Sequence, residues 1–353
     1  MDLTLTEEQG AVREAFGDFF AKESTPARVR AAEPLGFDPE LWRSLARTGA
    51  VVMAVPEELG GGGASQLDLV LVAQEYGRRI APVPFAEAAA AAGVLSRVPA
   101  GQEFFAGIAD GTLVPAFAPR PAVGGTARLA PAGGVADLLV ALDDEELIVV
   151  RGNSERPSVL PNLGSSPVAD WRLRGPGTER LVLASGEQAR ELHAAACAQW
   201  RLLTGAALDG LREEALRMAV AYVKDRRAFG VPIGSFQAIQ HRLADVAAAG
   251  EGLRLLVYEA AWASDAGPAA TGPASAAALA GMAFLAAASI TFATCRESLQ
   301  FHGGYGYTLE YDIQLYFRRA KAWPLAGGPI HDQYQHLADQ LFTAGAAPAN
   351  EVG

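Results

Sequence analysis

Between Phe105 and Leu183 the spacing of apolar residues changes character, and that change limits the possible folds more than any other feature of the chain. The segments GTLVPAF, ADLLVAL, ELIVV, DWRLRG and ERLVLA are short apolar or alternating runs separated by Gly, Pro and Asp. That pattern predicts short antiparallel strands with tight turns. On either side the spacing is helical. Before it, Val12, Phe16, Phe19 and Phe20 follow a capping box set by Thr6 and Gln9. Asp38 and Pro39 then supply an N-cap and a first helical residue, and Ser65 with Asp68 forms another start signal. After it, Leu208, Leu211, Ala215, Met218 and Tyr222 form a stripe. A further helix begins beyond Phe236, and an alanine-rich one occupies about Ser275 to Leu299. The expected fold is mainly α with a middle β domain. It comprises an N-terminal helical domain over 1–103, a shortened β domain over 104–185, a four-helix-bundle domain over 186–345 and a flexible tail over 346–353. The β domain is expected to have a modest core, stabilised against its neighbours.

Charge and composition narrow the function classes. The chain carries 40 acidic residues against 29 basic ones, a formal net charge of −11, which disfavours a general nucleic-acid surface because phosphate contacts need concentrated positive charge. Arg226 and Arg227 leave room for one local anion site. Cys197 and Cys295 are the only cysteines and read as buried free thiols. His193, His241, His302, His331 and His336 show no metal-binding spacing, and no serine or cysteine is paired with a base. The glycine run in ELGGGGASQ lacks the lysine of a phosphate loop and reads as a connection between helices. Apolar stretches are expected to be broken by Arg, Glu and Asp before the roughly 18 residues of a spanning helix, so no membrane insertion is expected. The opening MDLTLTEEQG has no basic segment followed by an apolar run, and a cytoplasmic location is the expectation.

The order of the three parts, with DRRAFGVPIGSFQAIQHRLADV and LQFHGGYGYTLEYDIQLYFRRAKAW, resembles the acyl-CoA dehydrogenase family. The resemblance covers nearly the whole chain in architecture and is specific in the C-terminal third. It implies FAD as hydride acceptor, an acyl-CoA substrate oxidised between Cα and Cβ, and an electron-transfer flavoprotein as partner. In that family each FAD lies at a subunit interface. The face presented to a neighbour's FAD matches Arg226 and Phe229, Phe236 and Gln237, then Gln300, Gly303 and Gly304. The chemistry suits those positions. Arginine satisfies a pyrophosphate through charge-assisted bonds, glutamine meets neutral hydroxyl or carbonyl groups, and glycine lets backbone approach a ligand. The family's own-subunit FAD segments, TEP and GSD and a later tryptophan with serine or threonine, have no counterpart between Gly101 and Ser185.

The family's catalytic glutamate is missing as well. Its commoner position matches Gly327 and its alternative matches Trp200, with Arg201 keeping the adjacent arginine. Neither residue can take a proton from carbon. Glu297, Glu310, Asp312 and Asp332 lie nearby in sequence and read as surface, cap or salt-bridge residues; His331 is the residue to watch as an unusual base. The chain is thus similar to the non-catalytic subunit of bacterial heteromeric acyl-CoA dehydrogenases that act on bulky steroid-derived CoA thioesters. That likeness implies a catalytic homologue as partner, supplying the base and most of the flavin site. Two alternatives stay open: a self-sufficient flavoenzyme homomer with an unconventional base, and a non-catalytic structural homologue.

Overall fold

Capping chemistry starts the first helices of the computed structural model, which describes residues 3–152, 156–175, 178–267 and 275–343. The expected tail at 346–353 lies outside the described residues. Thr6 accepts from the Gln9 N–H, and the Gln9 side chain accepts from the Thr6 N–H, opening α1 (Glu7–Glu23). After α2 (Pro26–Ala31), Asp38 accepts from the N–H groups of Glu40 and Leu41 at the start of α3 (Pro39–Ala46). Ser65 and Asp68 cap α4 (Gln66–Arg78) reciprocally. The glycine run between α3 and α4 is a connection, with Gly60 and Gly63 in the left-handed region. Next comes α5 (Phe85–Leu95), in which nine of eleven residues are buried, as expected of a helix made almost wholly of alanine and larger apolar groups. The short α6 (Phe105–Ala109) leads into the β region.

The β region holds β1 (Pro115–Phe117), β2 (Thr126–Ala130), β3 (Leu138–Asp143), β4 (Glu146–Arg151), β5 (Ala169–Arg172) and β6 (Glu179–Ser185). A four-stranded sheet runs in the order β1-β3-β4-β6, and β2 pairs with β5 separately. The expectation of antiparallel strands throughout needs correction: β1 and β3 are parallel. The reason is a crossover, since β2 leaves this sheet to join β5, so the chain returns beside β1 on the same heading. All six residues of β3 are buried. Its apolar side chains belong to one continuous core shared with α4, α5 and the helices that follow. The β domain therefore leans on its neighbours, as its short strands require.

The C-terminal helices are α7 (Gly186–Asp225), α8 (Gln237–Ala266), α9 (Ala276–His302), α10 (Ile313–Ala322) and α11 (Ile330–Thr343). Between α7 and α8 a hairpin pairs β7 (Arg227–Ala228) with β8 (Val231–Pro232). α7 packs against α4 and α9 at backbone distance. A β-carbon on Gly77 would lie 1.8 Å from the Ala207 carbonyl oxygen, and one on Gly210 would lie 1.8 Å from that of Gln74. Beside this contact a buried network is satisfied across three helices. Arg212 pairs with Asp209 at 2.7 Å, Gln74 donates to Asp209 at 2.9 Å, and Tyr258 donates to Gln74 at 3.2 Å. Arg318 and Arg319 of α10 reach back to Glu33 at 2.7 and 3.1 Å, and Arg318 also donates to Ser165 Oγ at 3.2 Å, joining all three parts.

The expected interruption of apolar runs by charge fails in α9. From Ala276 to Cys295 there is no Asp, Glu, Lys or Arg, and by length and composition this helix could cross a membrane. Half of its apolar window is buried, with α7 and α8 packed against the helix. Alanine, glycine and threonine suit such a close-packed core position as well as they suit a span.

Gly77→Ala or Gly210→Ala is expected to destabilise the fold by about 1–3 kcal/mol, because the helices must separate. Gly10→Ala in α1, where an added β-carbon meets nothing within 4 Å, should instead raise stability by about 0.5–1 kcal/mol. Denaturant unfolding of the three variants checks the difference in sign.

Candidate functional site

Two regions concentrate chemistry. The first is the end of the bundle where α7 and α9 finish and α8 begins. Arg226 is the C-cap of α7, its N–H bonded to the Tyr222 carbonyl and its own carbonyl accepting from Ile233 at 2.8 Å. The guanidinium lies exposed 5.8 Å from the Tyr305 ring, so it touches the turn that follows Gly303 and Gly304. It takes part in none of the ion pairs among the described residues. Phe229 and Gly230 form the two-residue turn of the hairpin with φ of 53° and 83°, as a type I′ turn requires. A phenylalanine there is strained by about 1–3 kcal/mol, yet its side chain is 95% exposed and touches Phe236 edge-to-face at 6.3 Å.

The remaining predicted residues lie at the same end. Gln237 is the exposed first residue of α8, and Gln300 is exposed in the last turn of α9. Gly303 ends α9 with φ 59° and ψ −142°, a conformation that only glycine adopts readily, and nothing lies within 4 Å of a β-carbon at Gly303 or Gly304. Tyr222 stacks on His302 at 4.2 Å and locks the two helix ends together. Tyr305 and Tyr311, whose rings lie 5.5 Å apart, are exposed beside Tyr307 and Leu309 in the segment that follows Gly304.

The second region is a cavity of about 260 Å³ with walls from α4, α5, the β loops, α7 and the end of α10. Tyr76 and Trp323 stack on one side of it at 5.6 Å. Both expected base positions lie just behind. Gly327 and Trp200 are packed together: a β-carbon on Gly327 would come 3.1 Å from the Trp200 ring and 2.9 Å from the Gln333 side-chain oxygen. A side chain at position 327 would meet both the Gln333 amide and the Trp200 indole. Trp200 is almost fully buried, and its Nε1–H donates to Glu87 Oε1 at 3.2 Å.

Glu87 is a residue that sequence reasoning missed. It is the one acidic side chain of α5, set in PFAEAAAAAGVL, and it lines the cavity. A lone carboxyl inside an otherwise apolar, buried helix was the available signal. Burial pushes it above the usual carboxylate range, with its own backbone N–H and the Trp200 indole opposing that shift. The other acids considered do not line the cavity. Asp312 pairs with Arg30 at 2.5 Å and Glu297 with Arg296 at 3.0 Å, while Glu310 and Asp332 are exposed. His331 is exposed in the first turn of α11, a polar residue at a helix start.

The segment 118–120, which follows β1, is tied down by other groups. His193 Nε2 bonds the Ala118 carbonyl at 3.1 Å and Cys197 donates to the Pro119 carbonyl at 3.3 Å. Arg120 donates to the Arg128 carbonyl at 2.7 Å, and its aliphatic chain lies 3.2 Å from where a β-carbon on Gly328 would be. Burial pushes the Cys197 thiol up to about 12, against the lowering effect of half-buried Arg201, so it is no nucleophile. Cys197 and Cys295 are both buried and free.

Comparison with known proteins is consistent over both ends of the chain. The family model described as acyl-CoA dehydrogenase, N-terminal domain, matches residues 6–99, and that described as acyl-CoA dehydrogenase, C-terminal domain, matches residues 192–342. Acyl-CoA dehydrogenase IpdE2 of Mycolicibacterium smegmatis is 33% identical over 348 residues, which cover 96% of this chain and 100% of that protein. Among solved structures, the ChsE4-ChsE5 complex of Mycobacterium tuberculosis superposes with a TM-score of 0.85 at 27% identity, covering 99% of this chain and 100% of the other. A variant of the Tcur3481-Tcur3483 steroid acyl-CoA dehydrogenase gives 0.84 at 25% identity, covering 98% and 100%.

Because Glu87 is raised by burial, the folded protein holds its proton to higher pH than the unfolded chain does. Its contribution to stability is present below the unfolded pKa and falls as pH rises through the folded value. Glu87→Gln keeps the acceptor for Trp200 and removes the titration. The stability of this variant relative to the parent is therefore expected to increase as pH rises above the usual carboxylate range and to level off once the folded value is passed, by thermal unfolding at each pH.

Proposed function

Because the chain belongs to the acyl-CoA dehydrogenase family, we propose that it is the base-lacking subunit of a heteromeric enzyme and completes the FAD site of a catalytic homologue. The observation that supports this is the packing of Trp200 against Gly327, the two positions that the resemblance matches to the family's glutamate. The likeness to subunits of two-component complexes, one of them named a steroid enzyme, supports a bulky steroid-derived CoA thioester as substrate. The reaction would be α,β-dehydrogenation to a 2-enoyl-CoA, with an electron-transfer flavoprotein as the onward acceptor and the cytoplasm as its location.

The residues at the bundle end fit the neighbour-facing half of an FAD site. Arg226 would hold the pyrophosphate through charge-assisted hydrogen bonds, and its freedom from internal ion pairs leaves that capacity intact. Gln237 and Gln300 would meet neutral hydroxyl or carbonyl groups, and Gly303 with Gly304 leaves the backbone open to close approach. Phe229 and Phe236 would cover apolar ligand surface and exclude water. A flavin held there would supply the hydride acceptor for the β-carbon, and a carboxylate of the partner would take the α-proton. The own-subunit half fits poorly, since the matching segment lacks the hydroxyl and carboxylate groups and Arg120 lies across it.

In the complex coexpressed with a catalytic homologue, Arg226→Ala is expected to lower flavin retention by about tenfold or more, the scale of one lost charge-assisted contact. The assembly itself should persist on size exclusion. Arg201→Ala, remote from that surface, serves as the control. Full flavin retention in the Arg226 variant would contradict the assignment.

A further inference from the structure

We propose that the recess where the end of α4 meets α2, α7 and α10 binds a short-chain aliphatic carboxylate, with Arg79 as the residue that holds the carboxylate group. The recess has a volume of about 130 Å³ and is separate from the larger cavity beside α5, with which it shares only Ile80. Arg79 is the C-cap of α4, and its backbone carbonyl accepts from Ser24 Oγ at 3.1 Å. Its guanidinium makes no hydrogen bond among the described residues. Nε is buried without a partner, and Nη1 lies 3.9 Å from Glu214 Oε1, beyond hydrogen-bond reach.

The carboxylates around Arg79 are already committed. Glu214 accepts from Arg217 Nε at 2.9 Å and from its Nη2 at 2.7 Å, and Asp312 pairs with Arg30 at 2.5 Å. Three guanidinium groups, on Arg79, Arg217 and Arg30, thus stand against two carboxylates, Glu214 and Asp312, and the recess is left with one positive charge in excess. A guanidinium in that position gains most from an anion that accepts two of its N–H groups at once, and a carboxylate has that geometry. The Arg79 side chain is 33% exposed, which leaves such a ligand a path from solvent.

The remaining walls select the body of the ligand. Pro26, Val29, Ile80, Met218 and Leu315 supply apolar surface. A hydrated inorganic anion would leave that surface facing water, whereas a short alkyl chain covers it. The single excess charge matches a monoanion, and a volume below the usual range of small-molecule sites limits the chain to a few carbons. The backbone holds the arginine end of this recess in a fixed turn. Ile80 has φ 42°, its N–H bonds the Gly77 carbonyl at 3.0 Å, and the Ala81 N–H bonds the Tyr76 carbonyl at 3.2 Å. That is a Schellman closure with a β-branched residue where glycine is usual, and both Arg79 and Ile80 line the recess.

The test titrates the full chain with sodium butyrate, sodium acetate, butyramide and inorganic phosphate at constant ionic strength, read by saturation-transfer NMR and by the arginine Nε–H resonances of isotope-labelled protein. Butyrate is expected to bind about tenfold more tightly than butyramide, the effect of one charge-assisted contact, and about tenfold more tightly than acetate, which has a shorter chain. One arginine Nε–H resonance should shift as butyrate is added. The same resonance should be missing from Arg79→Gln, and that variant should lose the preference for the carboxylate over the amide. Absence of butyrate binding, or equal affinities for butyrate and butyramide in the parent, would overturn the site, and this comparison stands even if the variant does not fold. Phosphate binding as tight as that of butyrate would overturn the assignment to an alkyl carboxylate. Retention of the preference in a folded Arg79→Gln protein would overturn the role of Arg79.

Discussion

Backbone contact between α4 and α7, at Gly77 on Ala207 and Gly210 on Gln74, sets the position of the forty-residue helix on which both functional regions depend. α7 carries Trp200 beside the cavity and ends in Arg226 at the exposed aromatic surface. Its middle is buried on nearly every side, against α4, α9 and the β region, so small residues and a satisfied polar network replace a simple apolar stripe. The buried Asp209–Arg212 pair would be costly without Gln74 and Tyr258 to complete it. A rigid α7 ties the two regions to one frame.

The regions differ in how they use strain and space. At the bundle end, groups are left exposed and unpaired: an arginine without a carboxylate, a phenylalanine in left-handed backbone, and glycines with empty space where side chains would stand. Beside the cavity the packing is close, with the Trp200 indole and the Gln333 amide both against Gly327. This contrast fits the proposed role, in which the bundle end would meet a partner and the partner would supply the base.

Local chemistry was the legible part of the sequence. Thr6, Asp38 and Ser65 act as caps within a few residues of themselves, and the change of apolar period marked the β region correctly. The parallel pairing of β1 with β3 was not legible, since it depends on β2 departing to another sheet. Nor was the filling of position 327 by Trp200, which lies more than a hundred residues away in the chain. Arg226, Phe229, Phe236, Gln237, Gln300, Gly303 and Gly304 could be named from the family resemblance, but the positive φ of Phe229 and the approach of Arg226 to the Tyr305 ring depend on the folded chain. Glu87 was visible as a lone charge among alanines. Its meaning appeared only when α5 proved to be buried and Trp200 proved to face it.

The account's central claim is that flavin is held between this chain and a catalytic homologue. Its most direct test is the ratio of FAD to protein, measured by visible flavin absorbance together with mass in solution, for the chain alone and for the coexpressed complex. The account predicts little flavin on the isolated chain and one FAD for every two chains in a mixed tetramer. A stable homomer carrying one FAD per chain would contradict it.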